Sequence, residues 1–333
     1  MRVFPLRQST ITVATEADGL RPAAERAAGT LLSRPYRTAH ALIVSDRRGP
    51  LVTIARHGRI DAPLNVKSVT KSVLSLLVGA AILRGHLRDE HVTLGEIDGL
   101  DLPDDVPLAR ELTLAHLLTM RSGLRWDEWA RRYRDPARMF GARHPGRYTL
   151  ERGFVAAPGS AFRYSSGDSQ VLASVLTAAV GEPLARFADA ALFGPLEIPS
   201  PKWLAGRDGV PFGGAHLYLA PRDLVRIGRL CLADGLWGEH RLIAQGWLDR
   251  AATVQSGDDW WEGPYGYHWW VRERGYAAYG YGGQVMLVSP AAKLVCVFTA
   301  ASNRRAHIPI AQVETELIDP LLDGIGSQSA ART

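Results

Sequence analysis

The chain has 333 residues, 46% of them hydrophobic, and a net charge of +5. That length and apolar content support one large packed domain or two modest ones and exclude a disordered or fibrous chain. The charge is scattered arginine whose densest cluster, Arg131, Arg132 and Arg134, is short and flanked by Asp127, Glu128 and Asp135; it reads as a solvated surface, so no nucleic-acid partner is expected.

The N-terminal stretch MRVFPLRQSTITVATEADGL lacks the apolar core and small-residue cleavage site of an export signal and reads as a polar lead-in. Ala39–Ser45 and Leu51–Ala55 are apolar runs around the turn-rich Asp46-Arg47-Arg48-Gly49-Pro50, which predicts a hairpin. The stretch NVKSVTKSVLSLLVGAAILRG, Asn65–Gly85, follows. Its apolar residues recur on nearly every face, which predicts a buried helix closed by Arg84 and Gly85. The run Val73–Leu83 is too short to cross a bilayer, so no membrane partner and a cytoplasmic location are the expectations. Ser68 and Lys71, three residues apart, share a face in its first turn.

Lysine is a rare choice in this chain, with four among 39 basic residues. A guanidinium does not give up its proton in a protein, whereas an ammonium does, so a base at this place has to be lysine. Burial and the positive end of the helix dipole both disfavour the ammonium form. The pair therefore reads either as a serine nucleophile with its own base or as a capping serine beside a snorkelling lysine. Lys67 points about 100° away and reads as a solvated neighbour.

A helix is predicted over Leu114–Met120, stopping at Ser122-Gly123, and residues 121–157 read as a long irregular excursion. Pro158-Gly159 is a turn, and Tyr164-Ser165-Ser166 lies on a loop leading into an apolar helix, Val171–Val180. Helical stretches follow at 184–193 and from Pro221, where Leu224, Ile227, Leu230 and Cys231 share one face. The last third changes period: Tyr265–Val271, Gln284–Ser289 and Leu294–Ala300 read as three antiparallel strands, and Val313–Leu322 as a helix broken by Pro320. Cys231 and Cys296 sit in apolar surroundings without zinc or redox spacing, which predicts packing residues and no metal. Strands at both ends with helices between predict an α+β chain: residues 1–66 plus 205–326 form an antiparallel sheet flanked by helices, 67–204 an inserted helical domain, and 327–333 a disordered tail.

Three segments taken together, Ser68-Val69-Thr70-Lys71, Tyr164-Ser165-Ser166 and Tyr279-Gly280-Tyr281-Gly282-Gly283-Gln284, resemble the three active-site motifs of the serine β-lactamase and penicillin-recognising superfamily. LLTMRSGLRWDEW at 117–129, APGSAFRYSSGDSQVLASVL at 157–176 and YGGQVMLVSP at 281–290 are similar to its class C-like branch, above all to 6-aminohexanoate-dimer hydrolases and family VIII-type esterases. The resemblance implies a β-lactamase/transpeptidase-like fold and a cofactor-free hydrolase acting on a small ester or amide. It also implies the roles: Ser68 as nucleophile, Lys71 as the amine that shares its proton, and Tyr164 as the phenol completing the relay. The backbone N–H groups of Ser68 and Tyr281 would form the oxyanion hole, supported by Ser166, Gly280 and Gly282. Two positions depart from the penicillin-active pattern. Ser166 stands where Tyr-x-Asn has its amide, and Ala278 where the third motif begins with a cation. A β-lactamase or D-alanyl-D-alanine carboxypeptidase is the alternative, and a non-catalytic binding relative the alternative of another class. Of Trp126, Trp129, Trp260 and Trp269, one or two are expected to line an apolar acyl site.

Overall fold

The structure, a computed structural model, describes residues 2–5, 11–16, 18–129, 135–257, 263–301 and 307–330. Arg131, Arg132, Arg134 and Trp260 lie outside the described residues. The chain divides into two compact units, one of Met1–Val69, Tyr218–Ala233 and Glu273–Thr333, the other of Thr70–Leu217 and Asp234–Arg272.

The first unit is built on antiparallel strands: β1 (Arg2–Pro5), β2 (Ile11–Thr15), β3 (Ala39–Ser45), β4 (Pro50–Arg56), β5 (Gly275–Gly280), β6 (Gln284–Ser289) and β7 (Leu294–Ala300), in the order β1-β2-β4-β3-β7-β6-β5. The two termini meet at the centre, where Leu42 pairs with Phe298 and Val44 with Cys296. Every residue of β6 and β7 is buried, as expected of near-continuous apolar runs covered on both faces. The β3–β4 turn is held by Asp46, whose carboxylate accepts the N–H groups of Arg48 and Gly49 at 2.7 and 2.9 Å; this self-bonding makes aspartate a turn residue. The helix Pro221–Leu232 buries Leu224, Ile227, Leu230 and Cys231 as its period predicts. Its Gly228 lets it approach β7: a Cβ there would lie 2.4 Å from Val295. Both cysteines are buried, which pushes their thiols up.

Several elements differ from expectation. The lead-in contains β1, β2 and a helix, Arg21–Leu32, whose buried stripe is Ala23, Ala24, Ala27, Ala28 and Leu31. Alanine buries little surface, so its period is faint in sequence. It serves here to let helices close up, and Gly324 sits where a Cβ would be 2.9 Å from that of Ala23. Pro320 does not break the C-terminal helix. The five residues before Asp319, Glu314–Ile318, widen into a π turn, and the helix continues over Asp319–Ala330. Pro320 has no N–H to give the carbonyl four residues back and its ring crowds that carbonyl, and a widened turn relieves both. The tail expected from residue 327 is therefore helical to Ala330, and residues 331–333 lie outside the described residues.

The second unit is mainly helical. Val69–Leu83 begins at its edge and is buried over Val69–Ala81; it ends through Gly85, at φ 76°, with the His86 N–H returning to the Ala81 carbonyl at 2.9 Å, a left-handed helix stop. Residues 205–217 and 234–272, expected with the sheet, belong here. The reason is hydrogen bonding to the helices: Gly213 N–H donates to Gln170 at 3.1 Å and Ala244 N–H to the Gly79 carbonyl at 3.1 Å. The stretch 121–157 is not irregular throughout, since it carries helices Asp135–Gly141 and Pro145–Glu151. Tyr265–Val271 is not one extended strand either. It folds back at His268, at φ 62°, and only Trp270–Arg272 is strand. Among the described residues no single helix is long and apolar enough to cross a membrane.

One buried charge in this unit has a stability consequence. Asp168 is fully buried, and neither carboxylate oxygen has a well-formed hydrogen bond; burial, only partly offset by the nearby Ser165 and Ser122, pushes its carboxyl up to about 7. A carboxyl raised on folding binds its proton more tightly in the native state. Its cost is therefore absent below the unfolded value of 3.8 and grows as pH rises to about 7, reaching roughly 4 kcal/mol. Asp168→Asn is expected to raise the melting temperature by several degrees at pH 8 and by clearly less at pH 5. Equal shifts at both would contradict the assignment.

Candidate active site

Ser68 immediately precedes the helix Val69–Leu83. The backbone is bent sharply to bring it there: Lys67 is left-handed at φ 54°, a conformation costing a residue with a side chain about 1–2 kcal/mol, and its N–H is caught by the Asn65 side chain at 2.9 Å. Lys67 is half-buried rather than solvated, and burial lowers its amine below the ordinary lysine range. Such strain is commonly concentrated where a side chain must be aimed.

In the first unit, the third motif closes the β5–β6 hairpin. Gly280 pairs with Gln284, and the loop between them needs Gly282 and Gly283 at φ 92° and 94°. Gly280 has no room for a side chain, because a Cβ would lie 2.4 Å from the carbonyl oxygen of Val66. The motif is thus pressed against backbone two residues before Ser68. Tyr281 is 47% exposed and its ring stacks on His307 at 4.7 Å. Gln284 is structural: its amide bonds both backbone groups of Ala300, at 2.7 and 3.3 Å, where the β3–β7 register shifts. Ala278 is fully buried opposite Met286.

In the second unit, Lys71 is 1% exposed. Its Nζ donates to Ser166 Oγ at 3.0 Å and to the Gly214 carbonyl at 3.1 Å, and lies 5.0 Å from the centre of the Tyr164 ring, a cation–π geometry. Gly214 gives the pair room, since a Cβ there would lie 3.1 Å from both Lys71 Nζ and Ser166 Oγ, a tight contact. Tyr164, 7% exposed, precedes the helix Ser166–Val180, whose N-cap is Ser165. That helix starts five residues earlier than its apolar period, because its first turn buries Ser166, Gly167 and Asp168, none of which carries an apolar side chain. The Tyr164 ring lies nearly parallel to those of Trp270, at 5.8 Å and 18°, and Trp129, at 6.4 Å and 17°. Trp129 is 54% exposed, whereas Trp126 and Trp269 are core.

Sequence reasoning missed two participants. Glu128, read as part of a solvated acidic surface, accepts the Ser166 hydroxyl at 2.6 Å, the Ser166 N–H at 2.8 Å and the Trp126 indole N–H at 2.7 Å. Nearby, Asp135 is buried, accepts the Asp127 N–H at 2.9 Å and lies beside Arg152 at 3.3 Å. The other is His268, fully buried behind Lys71. Its Nδ1 is 3.0 Å from the Leu118 carbonyl, which only accepts, so Nδ1 carries the proton and Nε2 accepts from Ser169 at 3.1 Å. Burial first, and then the Lys71 charge, lower it to about 3, so it is a neutral support. Its carbonyl accepts the Ser72 hydroxyl at 2.7 Å. Among the described residues, no three His, Cys, Asp or Glu side chains group as a metal site.

The β-lactamase family profile matches residues 41–319. The chain belongs to the β-lactamase family. This is a family of hydrolases, and this member has its fold, a mixed α+β arrangement around an antiparallel sheet. Solved structures with that fold include a protein assigned as a 6-aminohexanoate-dimer hydrolase from Bacillus anthracis, at 16% identity, covering 87% of this chain and 80% of that one with a TM-score of 0.71. EstCE1, a hydrolase with promiscuous acyltransferase activity, matches at 14% identity over 91% of this chain and 98% of its own, with a TM-score of 0.71. A D-stereospecific amidohydrolase from Streptomyces sp. matches at 15% over 89% and 98%, with a TM-score of 0.63. Identities this low establish the fold alone. No curated protein sequence matches this β-lactamase-family chain.

Proposed function

We propose that this β-lactamase-family protein is a serine hydrolase that forms an acyl-enzyme on Ser68 and hydrolyses a small ester or amide without a cofactor. The observation that carries the reading is the state of Lys71: a fully buried amine against Ser166, Gly214 and the Tyr164 ring, one helical turn beyond a serine held at a strained helix start. A structural lysine would extend to solvent. In the mechanism, Ser68 Oγ attacks the carbonyl carbon while Tyr164 and Lys71 take its proton; the same pair returns it to the leaving group and then activates water for deacylation. The backbone N–H groups of Ser68 and Tyr281 are assigned to the oxyanion. Trp129 offers an exposed apolar plate beside Tyr164 for the acyl or alcohol part of the substrate.

The substrate class follows from what the site withholds. The Ser166 hydroxyl is committed to Lys71 and Glu128 rather than to a substrate amide, and the buried Ala278 supplies no cation for a β-lactam carboxylate. A charge-assisted bond of that kind contributes about 1.5–3 kcal/mol, one to two orders of magnitude in specificity. Short-chain p-nitrophenyl esters are therefore expected to exceed a chromogenic cephalosporin in kcat/KM by at least roughly a hundredfold, with linear amide dimers assayed alongside. Comparable efficiency on both would favour the β-lactamase reading, with the anchoring cation supplied from elsewhere in the chain.

A further inference from the structure

We propose that Glu128 is a positioning residue of this hydrolytic site, acting through the Ser166 hydroxyl to fix Lys71 as a hydrogen-bond donor. The proposal rests on the reading of Lys71 as the proton-sharing amine. It starts from packing. Gly167 leaves a space that Trp126 fills, since a Cβ at Gly167 would lie 2.7 Å from the indole ring. The indole N–H then points at Glu128 Oε2, at 2.7 Å, and the Ser166 N–H reaches the same oxygen at 2.8 Å. Two N–H groups on one oxygen require an acceptor, and the other oxygen takes the Ser166 hydroxyl at 2.6 Å, a charge-assisted length.

A serine hydroxyl has one proton. With that proton committed to Glu128, Ser166 Oγ presents only lone pairs to Lys71 Nζ at 3.0 Å, so the lysine must donate. The Gly214 carbonyl, at 3.1 Å, accepts from the same nitrogen. Two ammonium protons are thus assigned to fixed acceptors, which fixes how the amine is oriented in the site. The Glu128 charge is felt beyond Ser166: it contributes to raising the carboxyl of Asp168, two residues further along the helix. A neutral amide at position 128 would remove the device. Its NH2 could donate to Ser166 Oγ, and the hydroxyl could then turn its proton towards Lys71 and reverse the polarity of the chain.

The test uses Glu128→Gln, Ser166→Ala and the double variant on a p-nitrophenyl ester, with Ser68→Ala as reference. Glu128→Gln is expected to lower kcat about 10- to 100-fold with KM within about twofold. The double variant is expected to be no worse than the more damaged single variant, because both changes break one chain. Additive losses, or a Glu128→Gln enzyme of undiminished kcat, would overturn the proposal whatever the melting temperatures. Failure of the underlying reading has a different signature, an active Ser68→Ala enzyme.

Discussion

Ser68→Ala is expected to reduce kcat/KM on any substrate of this protein by at least roughly ten-thousandfold, the scale on which removal of a serine nucleophile acts, while leaving the melting temperature nearly unchanged. The two halves of that expectation have separate grounds. Ser68 lies outside the fully buried set and precedes the first residue of its helix, so removing one oxygen leaves no cavity. The strain that aims it belongs to Lys67 and the Asn65 side chain, which the substitution does not touch. A variant that lost stability in proportion to activity would make Ser68 a structural cap instead.

Lys71→Arg is expected to be nearly as damaging as Lys71→Ala, both by about a thousandfold or more. Arginine keeps the charge and cannot exchange the proton. It is also bulkier, at a site where even a Cβ on Gly214 would lie 3.1 Å from Nζ. Both effects push the same way, so the informative result is the opposite one: a Lys71→Arg enzyme with substantial turnover would mean that the position acts only through its charge. Tyr164→Phe complements this test. The ring would keep its stacking contacts with Trp129 and Trp270, so a loss of two to four orders of magnitude in acylation would report the hydroxyl alone.

The parts of this molecule that sequence made legible are those where one physical requirement dominates. The helix Val69–Leu83 is buried on every side as far as Ala81 and reads as such; the β3–β4 hairpin has apolar runs and an aspartate turn; β6 and β7 are continuous apolar strands. Lys71 stood out because lysine is scarce here and its helix has no polar face to carry it. What stayed hidden depends on contacts between segments distant in sequence. Glu128 looks like one more surface acid, and only Trp126 packing on Gly167 turns it towards Ser166. Gly214 sits in a turn-rich stretch where a glycine needs no explanation, and the close approach of Lys71 gives it one. His268 reverses a segment whose aromatic residues otherwise read as extended. The alanine stripe of Arg21–Leu32 escaped because alanine gives little hydrophobic contrast, although it suits close helix packing. The π turn ahead of Pro320 likewise has no local signature beyond the proline it accommodates.

The acyl-enzyme on Ser68 is the central claim, and covalent trapping tests it most directly. Wild-type protein is incubated with a p-nitrophenyl phosphonate, digested, and mapped by tandem mass spectrometry beside Ser68→Ala treated identically. The account predicts one phosphonyl adduct per chain, on the peptide containing Ser68, formed with the same time course as loss of esterase activity and absent from the variant. An adduct on another residue that tracks inactivation, or full labelling of Ser68→Ala, would contradict it.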